Sequence, residues 1–142
     1  MKIAIKKVGI DLEIIESNKK YRTETVKEHI GEEYYPEFVY LNRSGTLSLG
    51  VNEDGLRLEL PTNFLLSVDS PYWPIQKMVG TVVFIRTKPI EGSGEIYDYE
   101  IDDLTDKDIE TIKHILNKEQ QEDLQKQFID YGKGGIVVES FK

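Results

Sequence analysis

The sequence predicts an α+β fold, in which a short N-terminal helix and a longer C-terminal helical segment pack on a mostly antiparallel sheet. Two observations carry this prediction. Apolar and polar residues alternate over several short segments, as they do in strands with one buried face. Apolar residues recur at helical spacing in two further segments, one early and one late in the chain. The length of 142 residues suits about one domain.

The N-terminal part of the chain predicts two strands and one helix. Apolar residues indicate a first strand over residues 2–8, and those of residues 10–14 alternate with acids in a second strand. Thr23 is predicted to cap a helix that runs to Ile30. Gly31 follows directly and is predicted to stop it.

A three-stranded meander is predicted next. Residues 34–41 and 46–51 have the composition and alternation of strands. Asp54 and Gly55 are a strong signal for a two-residue hairpin loop. Residues 56–60 would then pair with the preceding strand, since apolar side chains match across the hairpin in that register. Gly55 is expected at positive φ.

The middle of the chain predicts one buried strand among less regular segments. Residues 63–68 are predicted as a short helix or irregular structure, and the prolines within residues 70–74 exclude regular helix there. Residues 79–85 are apolar on both faces, which predicts a central strand. Residues 97–102 alternate apolar with acidic side chains, which predicts a strand with one acidic face.

The C-terminal segment predicts a capped helix. Thr105 and Asp108 have the spacing of a capping box. The helical pattern continues beyond a predicted break at Asn117, and Gly132 is predicted to end it.

The domain boundary is placed after this helix, with one α+β domain over residues 1–132 and a hinge with an edge strand over residues 133–142. The tail is too apolar to extend into water without a partner. It is therefore expected to add to a sheet edge, in its own chain or in a second copy as a homo-oligomer, through Ile136, Val137 and Val138.

Composition and charge exclude several classes of protein. No apolar run reaches the roughly 20 residues of a membrane span, and we expect neither a signal peptide nor a membrane partner. The chain has no cysteine, which excludes disulfides and cysteine nucleophiles. The formal net charge of −8 argues against nucleic acid as a direct ligand. We expect a cytoplasmic protein without a cofactor.

Three stretches of the chain together resemble a known family. They are Asn52-Glu53-Asp54-Gly55-Leu56 with Leu60-Pro61-Thr62-Asn63, the apolar run from Met78 to Ile85, and the helix start from Asp103 to Ile109. In this order they resemble a small bacterial, phage and mobile-element family, the domain of unknown function 3846. The resemblance covers roughly residues 1–116 and departs at the Pro71–Pro74 insertion. It implies a phage or mobile-element setting and supplies no activity or catalytic residues that could be transferred to this chain.

The charge is concentrated in one segment. Residues 91–110 contain nine acids and one base, which accounts for the whole net charge. We take the following acids as a candidate partner-binding site: Glu95, Asp98, Glu100, Asp102, Asp103, Asp106 and Asp108. On a strand, Asp98, Glu100 and Asp102 would point to the same side, with neighbouring carboxylates roughly 7 Å apart.

Three interpretations of this segment are open. The acids can bind a protein with a basic surface and, in a sharper version, mimic the charge of nucleic acid. They can instead hold a divalent cation, in an enzyme or a small-molecule binder. They can also be a solvated strand face followed by helix-capping acids. Arg86 and Lys88 are expected to neutralise one or two of them.

An exposed aromatic feature is a further candidate for partner binding. Tyr72 and Trp73 lie between two prolines, and both residue types are favoured interface anchors. The alternative is that Trp73 covers the core. Neither histidine of the chain has metal-binding spacing, and we predict no catalytic residues. The leading hypothesis is a non-enzymatic accessory protein that binds another protein through its acidic face.

Overall fold

The computed structural model describes residues 1–68, 74–88 and 98–133. Within these residues the chain forms, in order, β1 (Lys2–Lys6), β2 (Glu13–Glu16), α1 (Arg22–Ile30), β3 (Pro36–Tyr40), β4 (Leu47–Asn52), β5 (Thr62–Ser67), β6 (Ile75–Val79), β7 (Val82–Thr87), β8 (Ile101–Asp102), α2 (Asp106–Ile115) and α3 (Lys118–Lys133). The fold is α+β, as predicted, and these strands pair antiparallel. None of these helices is both long and apolar enough to cross a membrane.

Six strands form the main sheet. Five of them lie in the order β2-β1-β7-β4-β3, and β8 pairs with the last residues of β7. Strands β5 and β6 form a separate two-stranded sheet. The apolar run over residues 79–85 does supply the central strand, β7. It also contains a turn at Gly80, whose φ of 69° lets the chain reverse between β6 and β7.

Both faces of the main sheet are covered, so all six residues of β4 are buried. On one face, Val26 of α1 packs in a cluster with Val83 and Ile85. On the other face, β5, β6 and α2 cover the sheet, and Phe64 stacks on Phe84 with ring centroids 6.0 Å apart. Helix α3 packs against the two-stranded sheet. The core is therefore divided into layers by the main sheet.

Strand β2 begins three residues later than the strand predicted over residues 10–14, and it presents the opposite face. Its pairing with β1 places Ile15 opposite Ile3, and Ile15 packs against the core beside α1. Ile10 and Ile14 are exposed instead. A shift of one residue exchanges the two faces of a strand, and here the pairing with β1 fixes the face rather than the local alternation.

Helix α1 begins two residues earlier than a Thr23 cap would place it. Its N-cap is Tyr21, and the Glu24 carboxylate accepts backbone N–H groups from Tyr21 and Lys20 at 3.1 and 2.9 Å. These hydrogen bonds lower the pKa of Glu24. The helix ends before Gly31, as predicted.

The predicted hairpin after β4 is wrong. Strand β4 already pairs with β3 on one side and β7 on the other, so residues 56–60 have no edge to join. They belong to a series of turns in which Leu56 and Leu58 are exposed. Gly55 does not have a positive φ, whereas Glu59 does, at 55°.

Gly55 is nevertheless required, for a different reason. A Cβ atom at this position would lie 2.7 Å from Val79 Cγ2 and 3.1 Å from the Asn52 carbonyl oxygen. We expect Gly55→Val to lower the free energy of unfolding by about 1–2 kcal/mol through overpacking. Urea denaturation measures the change, and Leu56→Val at the exposed neighbour is the control. Equal stability of the two variants would contradict this close approach.

Three further predictions of secondary structure are wrong. Residues 63–68 lie mostly in β5, because β6, beyond the prolines, supplies a strand for them to pair with. The strand over residues 97–102 is reduced, in its described part, to β8 and an isolated bridge between Glu100 and Tyr21. Gly132 does not stop the last helix, since α3 includes it.

Candidate functional site

The acids of the candidate site that the structure describes fall into two groups. Asp98, Glu100 and Asp108 are held by contacts with α1, with lysine side chains or with β7. Asp102, Asp103 and Asp106 lie near the surface around the start of α2. In the first group, Glu100 and Asp108 form ion pairs within the chain and Asp98 accepts N–H groups at the start of α1, whereas the acids of the second group form no ion pair with a described residue.

Asp98 acts on the N-terminus of α1. Its carboxylate accepts the backbone N–H of Thr23 at 3.3 Å and that of Tyr99 at 2.8 Å. The first N–H groups of a helix lack partners within the helix, and the negative charge of a carboxylate there is attracted to the positive end of the helix dipole. Asp98 therefore has a structural role. A substitution that removes its carboxylate would leave the Thr23 N–H, at the start of α1, without this acceptor.

Glu100 lies between two lysines. Its carboxylate oxygens are 3.3 Å from Lys20 Nζ and 3.4 Å from Lys88 Nζ. The hydrogen bond from Lys20, with a smaller contribution from Lys88, lowers the pKa of Glu100. The expectation that Lys88 neutralises an acid of this segment is confirmed.

Asp108 is buried, which is a correction to the predicted acidic face. Only 5% of its surface is exposed, and both carboxylate oxygens lie 3.0 Å from Nη1 of Arg86 on β7. The predicted capping box is present, since Thr105 N–H donates to Asp108 Oδ2 and Asp108 N–H donates to Thr105 Oγ1. Asp108 therefore joins α2 to the sheet and is not available to a partner.

The remaining acids lie at or near the surface. Asp102 accepts the N–H of Asp103 at 2.8 Å, and Asp103 accepts the N–H of Lys2 at 2.7 Å. Asp106 is exposed in the first turn of α2. Glu110 follows one turn later on the same side of the helix and is also exposed. Within the described ranges, none of these four carboxylates forms an ion pair.

The described residues do not bring together three or more side chains that could hold a metal ion. Asp98 is directed to α1 and Glu100 to two lysines, so these acids do not form the common row that the strand prediction placed beside Asp102. Several predicted site residues lie outside the described part of the chain, namely Tyr72, Trp73, Glu95, Ile136, Val137 and Val138.

A second cluster of polar and aromatic side chains was not predicted from the sequence. Arg22, at the start of α1, lies among Phe38 and Tyr40 of β3 and Tyr99 before β8. Phe38 and Tyr40 are two residues apart in a predicted strand and so share a face, which was the available signal. Nothing in the sequence placed Arg22 on that face.

Comparisons of the chain with protein-family models, with curated proteins and with solved structures find no match.

Proposed function

We propose that the chain is a non-enzymatic protein-binding module that contacts a basic partner surface through the acids around the start of α2. The proposed surface keeps Asp102, Asp103 and Asp106 of the predicted acidic face and adds Glu110, which was not among the predicted site residues. The observation that carries it is the absence of an ion pair for these four within the described residues, although neighbouring acids in the same segment are neutralised.

The charge and position of these four acids support a role in binding a basic partner. Acids near the first turn of α2 stabilise the helix, and that role accounts for Asp106. It does not account for Glu110, which lies one turn further along, or for Asp102, whose hydrogen bond to the adjacent N–H does not require a charge. Surface carboxylates without internal counter-charges favour association with a basic surface and accelerate it.

The biological setting is proposed on sequence resemblance alone. The three motif stretches resemble the domain of unknown function 3846, which is associated with phages and mobile elements. An accessory protein of such an element would have a host protein as its partner. In the sharper version of the proposal, the acids mimic the charge of nucleic acid, and the partner is a nucleic-acid-binding protein.

The test is a triple substitution that removes charge and keeps hydrogen bonding. The variant combines three substitutions: Asp102→Asn, Asp103→Asn and Asp106→Asn. The amide oxygens at positions 102 and 103 can still accept hydrogen bonds from the backbone N–H groups of residue 103 and Lys2. We expect binding to the partner to weaken about tenfold at low salt, because three charges at or near the surface, at about 0.5 kcal/mol each, together contribute about 1.4 kcal/mol. Partners are captured from a lysate of the native host, purified, and measured by titration.

The matched control removes three charges elsewhere. Glu13→Gln, Glu32→Gln and Glu53→Gln change exposed acids outside the acidic segment, and none of these acids forms an ion pair with a described residue. This variant should bind like the parent. Equal binding by both triple variants would reject the proposed surface. Competition by double-stranded DNA would support the nucleic-acid-mimicry version, and lack of competition would reject it.

A further inference from the structure

Arg22 is a buried cation close to three aromatic rings. Only 7% of its surface is exposed. The centre of its guanidinium group is 3.7 Å from the centroid of the Phe38 ring and 4.4 Å from that of Tyr99. The Tyr40 ring lies further away, at 5.7 Å. Aromatic rings this close cover planar surface of a guanidinium group, and its N–H groups point outward along the edges.

The N–H groups along the edges of the Arg22 guanidinium have few hydrogen-bond acceptors among the described residues. Nη1 donates to the Tyr40 hydroxyl at 3.5 Å, which is long for a hydrogen bond. Nε is buried and has no hydrogen-bond partner there. A guanidinium group has five N–H donors, so most of the capacity of Arg22 is unused within the described part of the chain.

No described carboxylate forms an ion pair with Arg22. This contrasts with Arg86, which is less buried and yet has Asp108 beside it. Asp98 is near in the fold, but its oxygens accept the backbone N–H groups of Thr23 and Tyr99. Removing a cation from water without a counter-charge is costly, even where aromatic rings offset part of the cost.

Two phenol groups lie next to this guanidinium. The hydrogen bond from Arg22 lowers the pKa of Tyr40, and the Tyr99 hydroxyl lowers it further. The Tyr40 side chain is half exposed, so the cluster reaches solvent there. A guanidinium edge with adjacent hydroxyls is a set of hydrogen-bond donors suited to a small anion.

We propose that Arg22, Tyr40 and Tyr99 form a binding site for a terminal oxyanion, either a carboxylate or a phosphate group. The anion supplies the counter-charge that the described residues lack and accepts hydrogen bonds from the guanidinium edge and the phenols. Because Arg22 is almost fully covered, the ligand enters with one end, beside Tyr40. This site is independent of the acidic surface proposed above.

The experiment is a titration of the full chain with sodium phosphate and, separately, sodium acetate, each compared with sodium chloride at matched ionic strength and pH. We expect a saturable rise in the melting temperature with at least one of the two anions. A response to phosphate alone assigns a phosphate ligand, and a response to acetate alone assigns a carboxylate. No response to either beyond that of chloride would overturn the proposal.

Variants locate the response. Arg22→Met keeps a long apolar side chain next to the rings and should abolish the saturable shift, whereas Tyr40→Phe should raise the half-saturating concentration about tenfold. Arg22→Lys keeps the charge without the planar fork and should also bind about tenfold more weakly. Should Arg22→Met fail to fold, the other two variants decide. An unchanged response in both would overturn the proposal.

Tyrosine absorbance gives a second readout that stability alone would not affect. An anion bound beside the Tyr40 hydroxyl disfavours the phenolate, so the bound anion should raise the pKa of Tyr40. The phenolate titration of the parent chain should therefore move to higher pH when the responding anion is present. The same movement in Tyr40→Phe would contradict the site.

Discussion

Replacing Asp108 with alanine is expected to lower the free energy of unfolding by about 3 kcal/mol. The substitution leaves Arg86 without its carboxylate and Thr105 N–H without its acceptor. Breaking a buried ion pair costs about 3–5 kcal/mol, and we expect the lower end because the Arg86 side chain is 28% exposed and can regain water. Urea denaturation monitored by circular dichroism measures the loss.

Asp106→Ala is the matched control for this prediction. Asp106 is two residues away in the same first turn, but it is exposed and forms no ion pair with a described residue, so its loss should cost only about 0.3–1 kcal/mol. Asp108→Asn keeps an oxygen for the cap and should have an intermediate effect. If Asp108→Ala costs no more than Asp106→Ala, the ion pair with Arg86 does not join α2 to the sheet.

The start of α2 shows which part of this site the sequence could predict. The capping box of Thr105 and Asp108 spans four residues and was predicted correctly, since its hydrogen bonds depend only on local spacing. The burial of Asp108 depends on Arg86, which lies 22 residues earlier, on strand β7. Arg86 was expected to neutralise an acid, but local spacing could not show which one.

The hairpin after β4 shows how a strong local signal can be overridden. Asp54 and Gly55 favour a tight turn, and the apolar residues that follow matched those of the preceding strand. The sheet places β3 and β7 on the two edges of β4, however, and these pairings leave no edge for a third strand. Local propensity therefore predicted a turn at Asp54 and Gly55, but it could not predict that the turn leads away from β4 and not back along it.

The Arg22 cluster could not be predicted because it is assembled from three separate parts of the chain. The guanidinium comes from α1, two rings come from β3, and the third ring comes from the residue before the bridge at Glu100. Only the shared face of Phe38 and Tyr40 follows from strand periodicity. The position of Arg22 depends on how closely α1 approaches the sheet.

That approach depends on Gly50, and Gly50→Val is expected to lower the free energy of unfolding by about 3 kcal/mol. A Cβ atom at Gly50 would lie 2.7 and 2.9 Å from the two γ-methyl groups of Val26 and 3.1 Å from Phe38 Cε1. Val26 is fully buried, and its β-branched side chain is restricted in χ1, so it has little freedom to move away. Overpacking of this kind costs about 1–3 kcal/mol, and two rigid contacts favour the upper end.

A double-mutant cycle tests this cause directly. Val26→Ala alone should cost about 2 kcal/mol through lost burial, but in the Gly50→Val background it removes both clashing methyl groups. The double variant should therefore be more stable than the sum of the two single losses predicts, with a coupling of at least about 1 kcal/mol. Because the clash pushes α1 away from β4, Gly50→Val should also weaken the response to the anion at Arg22, and Val26→Ala should restore part of it. Additive losses in the cycle would show that α1 does not pack on Gly50 through Val26.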